Sequence, residues 1–473
     1  MWLNTLWRRW FGRSRPLPSS RIQRGSTRQR PRFRPRLEAL EERTLLSGNL
    51  PYADPTTAAQ LAQDITYVNQ NPGTYTIDLA PLASPYVLNN TTAALPALKT
   101  GVNLTIDGHG ATLERNTLAS PFRLFDVGKG ASLTLEDLTL SNGQAVGAGP
   151  LGALAQGGAI YNAGTLKLSN DTLSGNSAQG TVAQGGAVYS AGTLTIIDDI
   201  FSGNSAQGPT SEGGAIYNAG KLTLTSATVK SNVATGALNA SGGGLYMATG
   251  SATLSSDTFS ENSAVGGNGA NGPHGGAGGN ASGGGLYMGG GKAMLSEDTF
   301  SKNSAQGGHG GTGIFSGAGG NGYGGGLYVV AGNISLLNDI LTDNSANGGN
   351  GGTGFSNPSG YGGAGGAGGN GSGGGLYVAG GLVILSGGVQ TGNTVNFGSG
   401  GPGGAGQTPG IAGSDGKASG AYMEQVGGTF DQYGSDVLTK HIYHIGKISI
   451  GRITITRSVM APSVFTKWVE AET

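Results

Sequence analysis

A chain of 473 residues is long enough to bury a large core, but its 94 glycines, nearly three times the ordinary usage of about 7%, force the apolar residues to be placed economically. The absence of cysteine excludes disulfides and thiolate metal sites, so packing and backbone hydrogen bonds must hold the fold. The formal net charge of zero hides an asymmetry: residues 1–43 carry 12 arginines against three glutamates, which leaves 15 basic and 24 acidic residues elsewhere and excludes a nucleic-acid-binding face beyond the N-terminus.

Residues 1–47 are rich in Arg, Pro and Ser and too poor in apolar residues to offset the entropy of ordering, so they read as an export or targeting segment, disordered or removed. On a helix, Leu3, Leu6, Trp7 and Trp10 would line one face beside Arg8, Arg9 and Arg13, a pattern suited to an anionic membrane surface. No apolar run reaches the roughly 18 residues that a transmembrane span requires. The stretch RPRLEALEERTLLS, Arg34 to Ser47, resembles the Leu-Glu-rich N-terminal segment of many planctomycete surface and secreted proteins, and that resemblance implies export.

Asp54 followed by Pro55 predicts a helix N-terminus; Ala58, Leu61, Ala62, Ile65 and Val68 then recur at helical spacing until Pro72-Gly73. TYTIDL alternates Tyr75, Ile77 and Leu79 as a half-buried strand, and VNLTIDGHGATL predicts a short strand ending in an Asp-Gly turn, with His109 as a turn residue. One helix followed only by strands predicts an end cap on an all-β stack.

From Gly157 a repeat takes over. Its tyrosines are Tyr161, Tyr189, Tyr217, Tyr246, Tyr287, Tyr328 and Tyr377, and its asparagines Asn176, Asn204, Asn232, Asn262, Asn303, Asn344 and Asn393. The step from Tyr to Asn is always 15 or 16 residues, whereas the step from Asn to the next Tyr runs from 13 to 33. Within the constant arc the apolar positions form four files, begun by Ile160, Leu166, Leu168 and Leu173, the last file broken at Gln390. Short alternating pieces bounded by Gly and Asx turns read as three strands per unit. No unit can bury its apolar face alone, but stacking in register buries all four files and satisfies each strand from its neighbours.

These features predict an all-β protein: a single-stranded, right-handed parallel β-helix (solenoid) of roughly ten coils over residues 48–440, about 48 Å long at ~4.8 Å per coil. Glycine-rich insertions fall at 266–282, 307–324, 348–373 and 398–418, and 441–473 form C-terminal cap strands and a tail, with KISIGRITITRS at Lys447 to Ser458. GGAI at Gly157 and Gly213, GGAV at Gly185, and the FxxN tetrads at Phe201, Phe259 and Phe300 are similar to the repeats of chlamydial polymorphic outer-membrane proteins. That likeness implies a right-handed β-helix displayed outside the cell, often adhesive; those proteins end in a translocating β-barrel, for which the 50 residues after Met423 are too few. The stretch from Thr56 to Leu113 resembles the helix-capped start of pectin-lyase-like β-helices.

The asparagines are expected to form a structural hydrogen-bond ladder in an αL turn, and the tyrosines a packed aromatic ladder, with a platform for sugar rings as the alternative. Asp171, Asp199, Asp257, Asp298 and Asp339, with Asp198 and Glu297 beside two of them, read as solvent-exposed turn residues; a Ca2+-binding edge and glycosidase carboxylates are the alternatives. The insertions read as flexible loops, against a sharper alternative in which neighbouring segments pack as threefold polyglycine-like strands in a flat flank. Residues 157–393 contain no Arg and only five lysines, none facing an obvious acid pair, which disfavours lyase and hydrolase chemistry. The expectation is therefore a non-enzymatic, exported surface or matrix protein, adhesin-like or structural, with no catalytic residues, no cofactor, and extracellular polysaccharide or other surface proteins as partners. The alternative is a carbohydrate-binding module or a pectin-lyase-like polysaccharide lyase or hydrolase.

Overall fold

The computed structural model describes residues 50–52, 54–80, 85–89, 95–147, 153–420, 423–425 and 429–433. The readings made on 1–47 and on 441–473 lie outside the described residues. A helix spans Ala58–Gln70 and buries Leu61, Ile65 and Val68. Its N-cap is Thr57 rather than Asp54: the Thr57 side chain accepts the Gln60 N–H at 3.3 Å while the Gln60 side chain reaches back to the Thr56 N–H at 2.7 Å. This reciprocal pair satisfies two donors and fixes where the helix begins. Among the described residues no helix is long and apolar enough to cross a membrane.

Among the described residues, everything after the helix is strand and turn. One repeat runs through Ile160–Asn162, Thr165–Ser169, Thr172–Ser174, Ser177–Gln179 and Val182–Gln184 before the next begins at Val188–Ser190. The expected three strands per unit are thus four or five short ones, distributed over three sheets of 9, 19 and 14 strands, and the largest sheet takes two strands from each repeat. The extra break has a backbone cause. Asn170, Asp198, Ser226, Ser256, Glu297 and Asn338 all sit at φ between 57 and 61°, or within a degree of it, and divide each large-sheet segment in two.

Pairing is parallel and in register: Tyr161↔Tyr189↔Tyr217 in one sheet, Leu166↔Leu194↔Leu222 and Leu173↔Phe201↔Val229 in the largest, and Ala178↔Ala206 in the third. The arrangement is compatible with a parallel β-helix. Ile160, Leu166, Leu168 and Leu173 are fully buried, and their equivalents along the stack form one continuous core. The third sheet contributes separate alanine clusters, such as Ala178 with Ala183 and Ala206. The paired glycines mark the tightest corner: Gly157 has φ +61°, and a Cβ on Gly158 would lie 2.2 Å from the Gly186 carbonyl oxygen. Near the start, Asn103–Arg115 is one strand rather than a short strand and a turn, with an irregularity between Asp107 and Ala111 that places His109 at φ 48°.

The glycine-rich insertions are hydrogen-bonded layers, not flexible loops. Each leaves the stack on one leg and returns on another. Within the 266–280 layer, Gly276 N–H donates to Ala270 O and Gly279 N–H to Gly267 O, both at 2.8 Å. Between layers, Gly269, Gly272, Gly275 and Gly278 donate to His309, Thr312, Phe315 and Ala318 carbonyls of the next insertion. One donor in every three residues is the signature of threefold extended chains that bond to their neighbours instead of to themselves. The four layers form a blade beside the main stack.

Candidate functional site

The seven asparagines are buried to 95% or more and saturate one another. Asn204 donates its backbone N–H and its Nδ2 to Asn232 Oδ1, both at 2.9 Å, and its second Nδ2 proton to Leu173 O at 2.9 Å. The pattern repeats from Asn176 to Asn344 and ends at Asn393. With both amide protons donated and the oxygen accepting twice, nothing remains for a ligand. The αL residue of this turn is the one before each Asn, among them Gly175, Gly203, Ser231, Glu261, Lys302, Asp343 and Gly392, not the Asn itself. Freed from the strained position, the amide points inward along the stack.

The tyrosine rings stack at centroid separations of 4.6–5.2 Å and interplanar angles of 6–18°. Arg123 covers the free face of Tyr161 at 5.2 Å. Between Tyr161 and Tyr377 each ring face meets the next ring, so along its length the ladder offers sugars phenol edges, whereas the platform alternative needs a row of open faces. Beside it runs a file that the sequence reading missed: Gln156 Nε2 donates to Gln184 Oε1 at 2.9 Å, and Gln184 Nε2 to Glu212 Oε2 at 2.7 Å. Its signal was present, since each of the three immediately precedes a Gly-Gly pair. Burial, reinforced by the Glu212 carboxylate, pushes the phenols of Tyr217, Tyr246 and Tyr287 up. Burial raises Tyr328 to about 12.

The aspartates are not solvent-exposed turn residues. Asp171, Asp199, Asp257, Asp298 and Asp339 are each at most 3% exposed. Their carboxylates accept backbone N–H groups: Asp257 Oδ1 takes Ala227 N–H at 2.7 Å and Oδ2 takes Ser255 N–H at 3.1 Å, while Asp298 Oδ1 takes Asp257 N–H at 2.8 Å. Desolvation outweighs these bonds and lifts Asp171 to about 8, Asp199, Asp257 and Asp339 to about 7, and Asp298 to about 6. The file is turned into the protein, away from the solvent where a Ca2+ edge or a hydrolytic pair would have to work. Asp198 and Glu297 occupy the neighbouring αL positions.

Among the described residues one group has metal-ligand composition: Asp78, Asp107 and His109. The His109 imidazole lies 3.4 Å from Asp107 and 4.0 Å from Asp78, and all three side chains are a third to a half exposed. This is the geometry of a surface ion pair that forms when the imidazole is protonated.

The fold and these files define an all-β repeat protein of stacked parallel strands whose recurring polar side chains bond to one another. Compared with models of known protein families, with curated proteins and with solved structures, the chain matches none. The likeness to chlamydial repeats and to pectin-lyase-like β-helices therefore rests on motif residues alone.

Proposed function

We propose that this is an exported, non-enzymatic protein of the cell surface or extracellular matrix, built as a right-handed parallel β-helix of roughly ten coils and acting as an adhesive or structural element. The observation that carries this reading is the fate of the repeated polar groups: the asparagines and aspartates that recur in the stack are buried and bonded within it. A polysaccharide lyase or hydrolase of the pectin-lyase-like class would need such groups turned outward and paired. Export is supported by the likeness of Arg34–Ser47 to planctomycete surface proteins, and the partners that suit the reading are extracellular polysaccharide or other surface proteins.

Fractionation of the producing cells, with mass spectrometry of the mature N-terminus, tests the location. Recovery at the surface or in the medium is expected; an intact chain confined to the cytosol overturns export. Incubation with pectic and other acidic polysaccharides tests the chemistry, and release of unsaturated oligosaccharides overturns the non-enzymatic reading.

A further inference from the structure

The blade differs in chemistry from the rest of the molecule. Residues 266–280, 307–323, 348–370 and 398–413 contain no Asp, Glu, Lys or Arg. Its outer turns are joined across the layers: Ile314 N–H donates to Pro273 O at 3.1 Å, Ala364 N–H to Ile314 O at 3.0 Å, and Gly365 N–H to Ile411 O at 2.8 Å. The His274 ring stacks on Phe315 at 5.3 Å. This tip carries Ile314, Phe315, Phe355, Tyr361 and Ile411 at 50, 63, 54, 80 and 81% exposure.

An aromatic side chain offers roughly 150–250 Å2, so the three aromatic residues leave about 400 Å2 in water, and the two isoleucines bring the exposed, mostly apolar surface to the order of 600 Å2. That is the largest patch an ordinary monomer tolerates, and it approaches the ~800 Å2 that each partner hides in a standard interface.

We propose that the blade tip is a self-association surface whose occupant is the tip of a second copy of this chain, related by a twofold axis. In such a contact the same patch meets itself, so a surface of single-sign charge repels its own image. A charge-free tip is compatible with its image, whereas the exposed positions of the stack carry Lys292, Glu297, Lys302 and Asp343. An anionic bilayer finds no Lys or Arg among the outer turns to hold it; Lys417 lies at the base of the last layer, where its N–H donates to Asn370 Oδ1. Because the layers already bond to one another, little backbone freedom is lost on docking. The inference goes beyond the role proposed above and stands whether or not the protein is exported.

Sedimentation velocity on the full chain across micromolar concentrations reads the outcome directly. The wild type is expected to move from monomer to dimer, and Phe315→Ser/Tyr361→Ser/Ile411→Ser to dissociate at least roughly tenfold more readily. These side chains are exposed, so the thermal midpoint of the triple variant should match the wild type, which separates lost association from lost folding. Phe315→Lys is a second probe: like charges across the axis should weaken the dimer most at low salt. A wild type that stays monomeric, or a dimer that both variants retain, overturns the proposal. So does a monomer whose tip instead retains neutral polysaccharide or zwitterionic vesicles in a way the triple variant does not.

Discussion

Asn232 donates both its backbone N–H, at 3.1 Å, and its Nδ2, at 2.9 Å, to the single Oδ1 of Asn262, 30 residues further along the chain. Asn262 in turn donates to Val229 O and Asn303 Oδ1. Replacing Asn262 by Ala strips partners from two buried donors and a buried carbonyl at once, each worth about 1–3 kcal/mol when left unpaired. The variant should lose at least about 3 kcal/mol in urea denaturation. Asn176→Ala, at the start of the file, abandons fewer donors, because among the described bonds its Oδ1 accepts only the Gly143 N–H rather than two protons of a preceding asparagine. Equal losses at the two positions would show that the ladder does not act as a connected unit.

The buried aspartates make stability depend on pH in a direction opposite to that of ordinary salt-bridged carboxylates. Their folded pKa values, about 6 to about 8, lie above the ordinary aspartate value of 3.8, so the folded state holds protons more tightly than the unfolded one. Their stabilisation is complete below about 4 and is lost as pH rises through the folded values. The thermal midpoint should therefore fall between mildly acidic and mildly alkaline buffer. Asp257→Asn should flatten that slope at a pH-independent cost, since its Nδ2 would face the Ser255 N–H that Oδ2 now accepts. A midpoint that rises over the same interval contradicts the assignment.

The tyrosine, asparagine and apolar files were legible because the arc between Tyr and Asn has nearly constant length, so identical spacing places identical residues over one another. The aspartates were misread although the same logic applies to them. Asp171 and Leu173, or Asp257 and Phe259, are two residues apart, and side chains two apart on an extended chain share a face. The αL residue precedes the aspartate and so does not interrupt that pair, and an aspartate two before a buried Leu or Phe is buried as well. Treating Asp beside a turn as solvated overrode the periodicity. The blade was half legible: its threefold glycine period was visible, but only the pairing of one insertion with the next shows that the layers satisfy one another.

The stacked phenols should resist alkali. Burial raises Tyr328 to about 12, and the Glu212 carboxylate raises Tyr217 and Tyr246 further than burial alone does. Near-ultraviolet titration should show the ladder tyrosines ionising above the ordinary phenol range and together with unfolding. Glu212→Gln removes the charge while keeping a side chain that can partner Gln184, so ionisation should begin at lower pH. An unchanged onset would mean that Glu212 has no electrostatic hold on the ladder.

Two glycines of the blade separate packing from flexibility. A Cβ on Gly311 would lie 2.1 Å from Ala270 O, with the Ala270 carbonyl carbon at 2.6 Å, whereas one on Gly272 would meet only His274 O, at 3.7 Å. Gly311 also links layers, since its N–H donates to Gly276 O at 2.8 Å and its carbonyl accepts the Gly317 N–H at 2.9 Å. Gly311→Ala must therefore push the 307–323 and 266–280 layers apart, and the displacement passes to 348–370 through Gly352 N–H, which donates to Gly317 O. Gly272→Ala enters open space, and by narrowing the unfolded ensemble it should be neutral or stabilising by about 0.4–1 kcal/mol. Amide exchange distinguishes the two. Wild type and Gly272→Ala should protect the donors Gly269, Gly278, Gly310 and Gly351, which bond to the adjoining layer, and Gly311→Ala should expose the layers around the substitution while the asparagine ladder stays protected. Exchange at random-coil rates throughout 348–370 of the wild type would mean that the insertions do not form layers in solution, and the tip they carry would lose its rigid base.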